Sequence, residues 1–204
     1  MIEADFLTIC CNALRIMPSA QPQALLLVDG YNVIGAWTDL QRLRDSEGLE
    51  SARRSLIEAL VGYSAFHGFD TRIVFDAQFQ GTPGCREMIT QNLSICYTDF
   101  RQTADTFIEK TCALFRQDLR KFDQRLIVAT SDRAQQLTVV GYGAECMTVQ
   151  QLRLEVETSV QRVRSKQKQK RKSSQRFLAH AIDPIAQQRL AQMRFGLGSN
   201  DQSH

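Results

Sequence analysis

Asp29, Asp76 and Asp132 each stand where an apolar run gives way to polar residues: ALLLV precedes Asp29, RIVF precedes Asp76, and RLIVATS precedes Asp132. A fourth acid, Asp105, opens the stretch TADTFIEK, and Glu109 follows it four residues later, which puts the two on one helix face near its N-terminus. Carboxylates gathered at one rim repel one another unless a hard cation neutralises them. Oxygen-only ligands suit Mg²⁺ or Mn²⁺. Such a cation activates water and stabilises the charge that develops on a phosphodiester in flight. Each acid also has a plainer reading. Asp29-Gly30 is an ordinary turn signal, Asp132 a helix cap, Asp105 a first-turn acid and Glu109 a solvated surface group. Asp76 is the least specific of the five. Their coincidence at the ends of successive elements favours a metal-dependent hydrolase and leaves the substrate open.

The elements that would position these groups can be read from the apolar pattern. ALLLVDG (24–30), RIVFDA (72–77) and RLIVATSD (125–132) are continuous apolar runs of the kind found in strands buried on both faces. LSICYT (93–98) and AECMTV (144–149) are weaker strands. Helical stripes lie between them: Leu49, Ala52, Leu56, Ala59, Leu60 and Tyr63 within 47–64, and Ile108, Cys112 and Phe115 within 103–118. A short helix is expected over 132–140, and a long one over 149–172 that begins with Leu152, Val156 and Val160. This alternation predicts a three-layer α/β/α domain around a mostly parallel sheet. In such sheets ligands bind beyond the C-terminal strand ends, where the aspartates stand. Residues 77–91, with Gly81, Pro83, Gly84 and no clear period, read as a long loop.

Charge divides the chain. The formal net charge is +3, yet residues 161–176 hold eight Lys/Arg and no acid: Arg162, Arg164, Lys166, Lys168, Lys170, Arg171, Lys172 and Arg176. Without them, 17 basic residues face 22 acidic ones, a body of net −5. A basic arm on an acidic body points to a polyanion, nucleic acid before membrane, bound with salt-dependent and largely sequence-independent affinity. The plainer reading is a solvated helix end. Hydrophobic residues at 43% suffice for a core, and no apolar run approaches a membrane span. The N-terminal apolar patch Phe6–Cys11 follows Glu3 and Asp5, which argues against a secretory signal.

The six cysteines (10, 11, 85, 96, 112 and 146) contain no C-x-x-C pair, so structural zinc is not expected, and a cytoplasmic chain with reduced thiols is. Gly141-Tyr142-Gly143 follows a helix instead of opening one, which makes it a cap and turn; no nucleotide cofactor is expected. Tyr31 and Trp37, just past the first strand, either stack on a base or pack beneath the next loop. His67 is expected in a helix-to-strand loop. The domain is expected over 25–160, preceded by a flexible extension (1–24) and followed by the basic helical arm (161–176) and a tail (177–204) with a helix at 184–194.

LLLVDGYNVIGAW (25–37), IVFDA (73–77), QTADTFIEK (102–110) and VATSD (128–132), in this order, resemble the YacP-like NYN-domain ribonucleases, relatives of the PIN-domain nucleases. The likeness spans residues 25–172. It implies a PIN-like fold and an acidic, Mg²⁺-dependent endoribonuclease site, with a branch that associates with the ribosome and cuts mRNA. Carried over by motif, it implies active-site roles for Asp29 of DGYN, Asp105 of TAD, Asp132 of TSD and then Glu109, with the first three holding metal. It also implies that Asn32 positions Asp29 or the phosphate. Two other function classes are set beside it. One is a non-catalytic RNA- or ribosome-binding module on the same fold. The other is a phosphatase of the haloacid dehalogenase type, which needs an aspartate two residues after the first; Tyr31 stands there.

Overall fold

The structure, a computed structural model, describes residues 22–76 and 84–181 together with 188, 189 and 192; over 170–181 it describes the backbone. The expected extension over 1–24 therefore lies outside the described residues as far as Gln21, and the expected helix at 184–194 lies mostly outside them.

The apolar run ALLLV, followed by an aspartate, forms β1 (Ala24–Asp29), buried at every position. Its neighbours are β2 (Phe69–Phe75) on one side and β5 (Arg125–Ala129) on the other, both parallel to it. The strands β4 (Leu93–Tyr97) and β6 (Glu145–Met147) extend the parallel sheet outward. One antiparallel strand, β3 (Arg86–Thr90), completes the order β3-β4-β2-β1-β5-β6. That strand corrects the expectation of a loop over 77–91. Residues 77–83 lie outside the described residues, and 86–90 form an edge strand with no buried residue. With no apolar alternation its sequence carries no strand period, and its pairing with β4 comes from backbone hydrogen bonds.

Among the described residues the α-helices are α1 (Gly30–Ala36), α2 (Thr38–Glu47), α3 (Leu49–His67), α4 (Ala104–Gln117), α5 (Arg133–Gly141) and α6 (Val149–Ala181). Alternation along the strands sorts the core into two layers. Ala24, Leu26, Val28, Ile73 and Phe75 pack against α1, α2, α3 and the start of α6, where Leu56, Leu60, Tyr63 and Leu152 are buried. Leu25, Leu27, Val74 and Val128 face the other way, onto Ile108, Cys112 and Phe115 of α4 and Val139 of α5. This is the expected three-layer α/β/α arrangement. The two helices after β1 were not expected: both are short, and α1 depends on a cap supplied by Asp29.

Smaller expectations also meet the structure. Gly143 has φ +89°, a left-handed turn after α5 that suits glycine. His67 ends α3 instead of lying in a loop, and its ring stacks on Phe69 at 5.1 Å. Cys96 and Cys112 are buried free thiols; burial pushes Cys112 up to about 12, so it serves as a small hydrophobe.

The chain divides into two compact units, Met1–Glu157 and Thr158–His204, the boundary falling within α6. In the second unit the helix runs nine residues past the expected end at 172. Arg162, Arg164, Lys166 and Lys168 are exposed along it, and Val160 is 38% exposed instead of buried. The side chains of Lys170, Arg171 and Lys172 lie outside the described residues. Among the described residues no helix is long and apolar enough to cross a membrane.

Candidate functional site

Register places the acids. Asp29 pairs with Val74, and Val28 with Ala129, so β1, β2 and β5 end almost level, and Asp29, Asp76 and Asp132 follow within a few residues of one line across the sheet. Alternation turns Asp29 to the α4/α5 side, the side of Leu25 and Leu27. Those two helices begin at this edge. Thr103 caps α4, its hydroxyl accepting from the Thr106 N–H at 3.2 Å, and Asp105 falls in the first turn. Asp132 caps α5, its Oδ1 accepting from the Ala134 and Gln135 N–H groups at 2.8 and 3.4 Å. Both helix N-termini favour negative charge here.

Neutral donors link these acids in one chain. Asp29 Oδ1 accepts the N–H of Asn32 at 3.0 Å. The Asn32 side-chain oxygen accepts from the Ser131 N–H at 3.1 Å and also from the Ser131 hydroxyl. Asp132 follows Ser131, and its own N–H donates to Thr130 Oγ1 at 3.1 Å. From the capped turn, Gln135 Nε2 reaches Asp105 Oδ1 at 2.5 Å. A hydrogen-bonded path thus runs from β1 through the start of α5 to α4. In it the backbone of Asn32 contacts Asp29, while its side chain is engaged with Ser131.

The acids also act on one another through their charges. Asp29, 7% exposed, is pushed up to about 6, first by burial and then by the charges of Asp105 and Asp132, against the lowering effect of the Asn32 and Tyr31 N–H groups. Asp105 is raised by burial, then by Asp132 and Asp76, and only the Gln135 amide lowers it. Among the described residues, none of the ion pairs involves Asp29, Asp105 or Asp132. Asp76, the least specific acid in the sequence, therefore reaches the field of Asp105. Glu109 is half-buried one turn further along α4, where its charge acts on Cys112; it is not among the charges acting on Asp105.

Among the described residues no group of three or more His, Cys, Asp or Glu side chains is drawn together closely enough to hold a metal ion. The donor set still suits Mg²⁺ by its chemistry. That ion is commonly held through one or two carboxylates, its remaining positions filled by water and substrate phosphate. Asp29, raised by burial and by Asp105 and Asp132, and Asp105, raised by burial and by Asp132 and Asp76, are two carboxylates of this kind with no ion pair among the described residues.

The YacP-like NYN domain family model matches residues 26–195. The chain belongs to this family. Its domain is of a nuclease-like, RNA-related type. The chain is 36% identical over 140 residues to the protein YacP of Bacillus subtilis (strain 168), across 68% of this chain and 78% of the relative. It is similar to two crystal structures of Rae1 (YacP) from Bacillus subtilis. A single-residue variant superposes with TM-score 0.58 at 33% identity, covering 70% of this chain and 80% of that one. A second structure gives 0.57 at 29% identity, covering 84% and 95%.

Several residues around these acids depart from the sequence expectation. Trp37 is 4% exposed and its indole N–H donates to the Val149 carbonyl at 2.9 Å, so it packs beneath the sheet edge and no base can stack on it. Tyr31 is half-buried against Phe75, with ring centroids 5.1 Å apart, and its hydroxyl bonds the buried Arg53. Gln135 was missed altogether. Its signal was present: it lies four residues before Val139 on the buried stripe of α5, a polar residue at a core position.

Proposed function

We propose that the protein is a metal-dependent endoribonuclease that hydrolyses RNA phosphodiester bonds, with mRNA on the ribosome as its setting. The observation that carries this reading is the set of acids Asp29, Asp105 and Asp132, tied by neutral donors and, among the described residues, left without a cation partner. Asp29 and Asp105, with Asp132 beside them, would hold Mg²⁺ or Mn²⁺, which supplies a more acidic water and neutralises charge on the phosphate. Asn32 and Gln135 keep two of the carboxylates in place without neutralising them. Asp76 adds negative potential from the end of β2, and Glu109 is assigned as a further acid at the margin that orients water.

Four exposed cations of the arm complete the reading. Arg162 with Lys166, and Arg164 with Lys168, are i,i+4 pairs on roughly opposite sides of α6, so this segment is basic all round. Such a segment binds phosphates without reading sequence. Affinity then resides in the arm and chemistry in the acids.

The test is cleavage of a labelled mRNA, alone and on translating ribosomes, with Mg²⁺ or EDTA, together with ribosome co-sedimentation at two salt concentrations. The expected result is Mg²⁺-dependent cutting that an Asp29→Asn/Asp105→Asn protein loses, with sedimentation that weakens as salt rises. Salt-sensitive RNA or ribosome binding without metal-dependent cutting would assign the chain to the non-catalytic binding class instead.

A further inference from the structure

Gln135 is 3% exposed, and its two amide atoms have opposite fates. Nε2 donates to Asp105 Oδ1 at 2.5 Å, whereas Oε1 is buried with no hydrogen-bond partner. A buried acceptor left without a partner is destabilising. Leucine or methionine in this place would fill the core beside Val139 and avoid that cost. A polar residue that breaks the apolar stripe of α5 and leaves one atom unsatisfied is poorly explained by packing, and its donated hydrogen bond accounts for its presence.

We propose that Gln135 is a positioning residue that holds Asp105 against Asp132 for the reaction assigned above, on which this inference rests. Its place allows this. Its backbone N–H is bonded to Asp132 Oδ1 at 3.4 Å while its side chain reaches Asp105, so one residue spans two acids on two helices. Its chemistry fits as well. A lysine or arginine would fix Asp105 equally well but would neutralise the charge that a divalent cation and its water require. The amide orients the carboxylate and leaves that charge in place, as outer partners of metal ligands do.

The experiment uses the full chain and the variants Gln135→Met, Asp105→Asn and the double variant. Three quantities are read: Mn²⁺ affinity by titration calorimetry, kcat and KM for a short RNA, and the melting temperature in EDTA. Gln135→Met is expected to weaken Mn²⁺ binding about tenfold and lower kcat about tenfold or more. KM should stay within twofold, and Tm should be equal to or above that of the wild type. In the Asp105→Asn background the same change should alter Mn²⁺ affinity by less than twofold, because the carboxylate it served is gone. Wild-type affinity and kcat in Gln135→Met would overturn the proposal, as would a loss that follows a lowered Tm and recurs in full in the Asp105→Asn background. A wild-type chain that neither binds Mn²⁺ nor cuts RNA would refute the nuclease reading itself, and the role of Gln135 with it.

Discussion

Replacing Asp29 with asparagine should make the metal-free protein more stable at neutral pH. Asp29 is 7% exposed, and its carboxyl is raised from 3.8 to about 6, chiefly by burial and then by Asp105 and Asp132. A folded-state value above the unfolded one means that the native protein binds more protons, so stability falls as pH rises from about 4 through about 6. A shift of about 2 pH units corresponds to about 3 kcal/mol, absent below pH 4 and fully present above pH 6. Asparagine removes this cost and still accepts the Asn32 N–H as a helix cap, losing about 0.3–1 kcal/mol of charge–dipole attraction. The net gain is about 2 kcal/mol, or roughly 4–8 °C in Tm at pH 7.5 in EDTA. Divalent metal reverses the order. At a hundred times its Kd it adds about 2.7 kcal/mol to the wild type and much less to the variant. Thermal melts of both proteins from pH 4 to 8, with EDTA and with Mg²⁺, read all of this. A variant less stable than wild type at pH 7.5 in EDTA, or a difference between the two that is flat across that range, would refute the reasoning.

Three further outcomes can be checked alongside. Gly30→Ala would set a Cβ 2.3 Å from Cε1 of Phe75, a fully buried ring with little room to yield, so urea unfolding should show a loss of about 1–3 kcal/mol. Trp37→Phe removes the hydrogen bond to the Val149 carbonyl and should cost about 1–3 kcal/mol in the same assay, while RNA affinity by fluorescence anisotropy stays unchanged because the ring is buried. Changing Arg162, Arg164, Lys166 and Lys168 together to glutamine should weaken single-stranded RNA binding and reduce the slope of log K against log salt by roughly 3 if all four touch phosphate. Cleavage of a saturating short RNA should keep its kcat, and a proportionate fall in kcat would contradict the division between arm and acids.

The sheet and its two helical layers were legible because burial on both faces leaves an unbroken apolar run in each central strand. The α3 and α4 stripes were legible because one buried face repeats every turn. β3 was not, since an exposed edge strand held by main-chain pairing has no side-chain period. The site divided along similar lines. Asp29, Asp105 and Asp132 stand at element ends, which sequence locates well, and the structure brings those three ends to one edge of the sheet. The relative places of Asp76 and Glu109 depend on three-dimensional reach: Asp76, at the end of a neighbouring strand, acts on Asp105, and Glu109, four residues along the same helix, does not. Gln135 escaped notice because a single polar residue in a short amphipathic helix is ordinarily read as imperfect amphipathicity.

The partners of these acids have a physical logic of their own. Elsewhere the protein pairs carboxylates with arginine, as in the exposed pairs Arg125–Glu145 at 2.5 Å and Arg153–Asp39 at 2.6 Å. At the C-terminal edge of the sheet Asp105 accepts from the Gln135 side-chain amide, and Asp29 and Asp132 accept from backbone N–H groups instead. Each of these lowers a carboxylate's energy without cancelling its charge, and the raised states of Asp29 and Asp105 show that the compensation is incomplete. Full neutralisation by protein cations would give a more stable fold with no demand for a divalent ion. Leaving the acids unsupported would raise them further until they held protons at neutral pH. Neutral donors set the intermediate condition, in which the acids are ordered, Asp29, at about 6, still gives up its proton at neutral pH, and a divalent cation has charge left to bind.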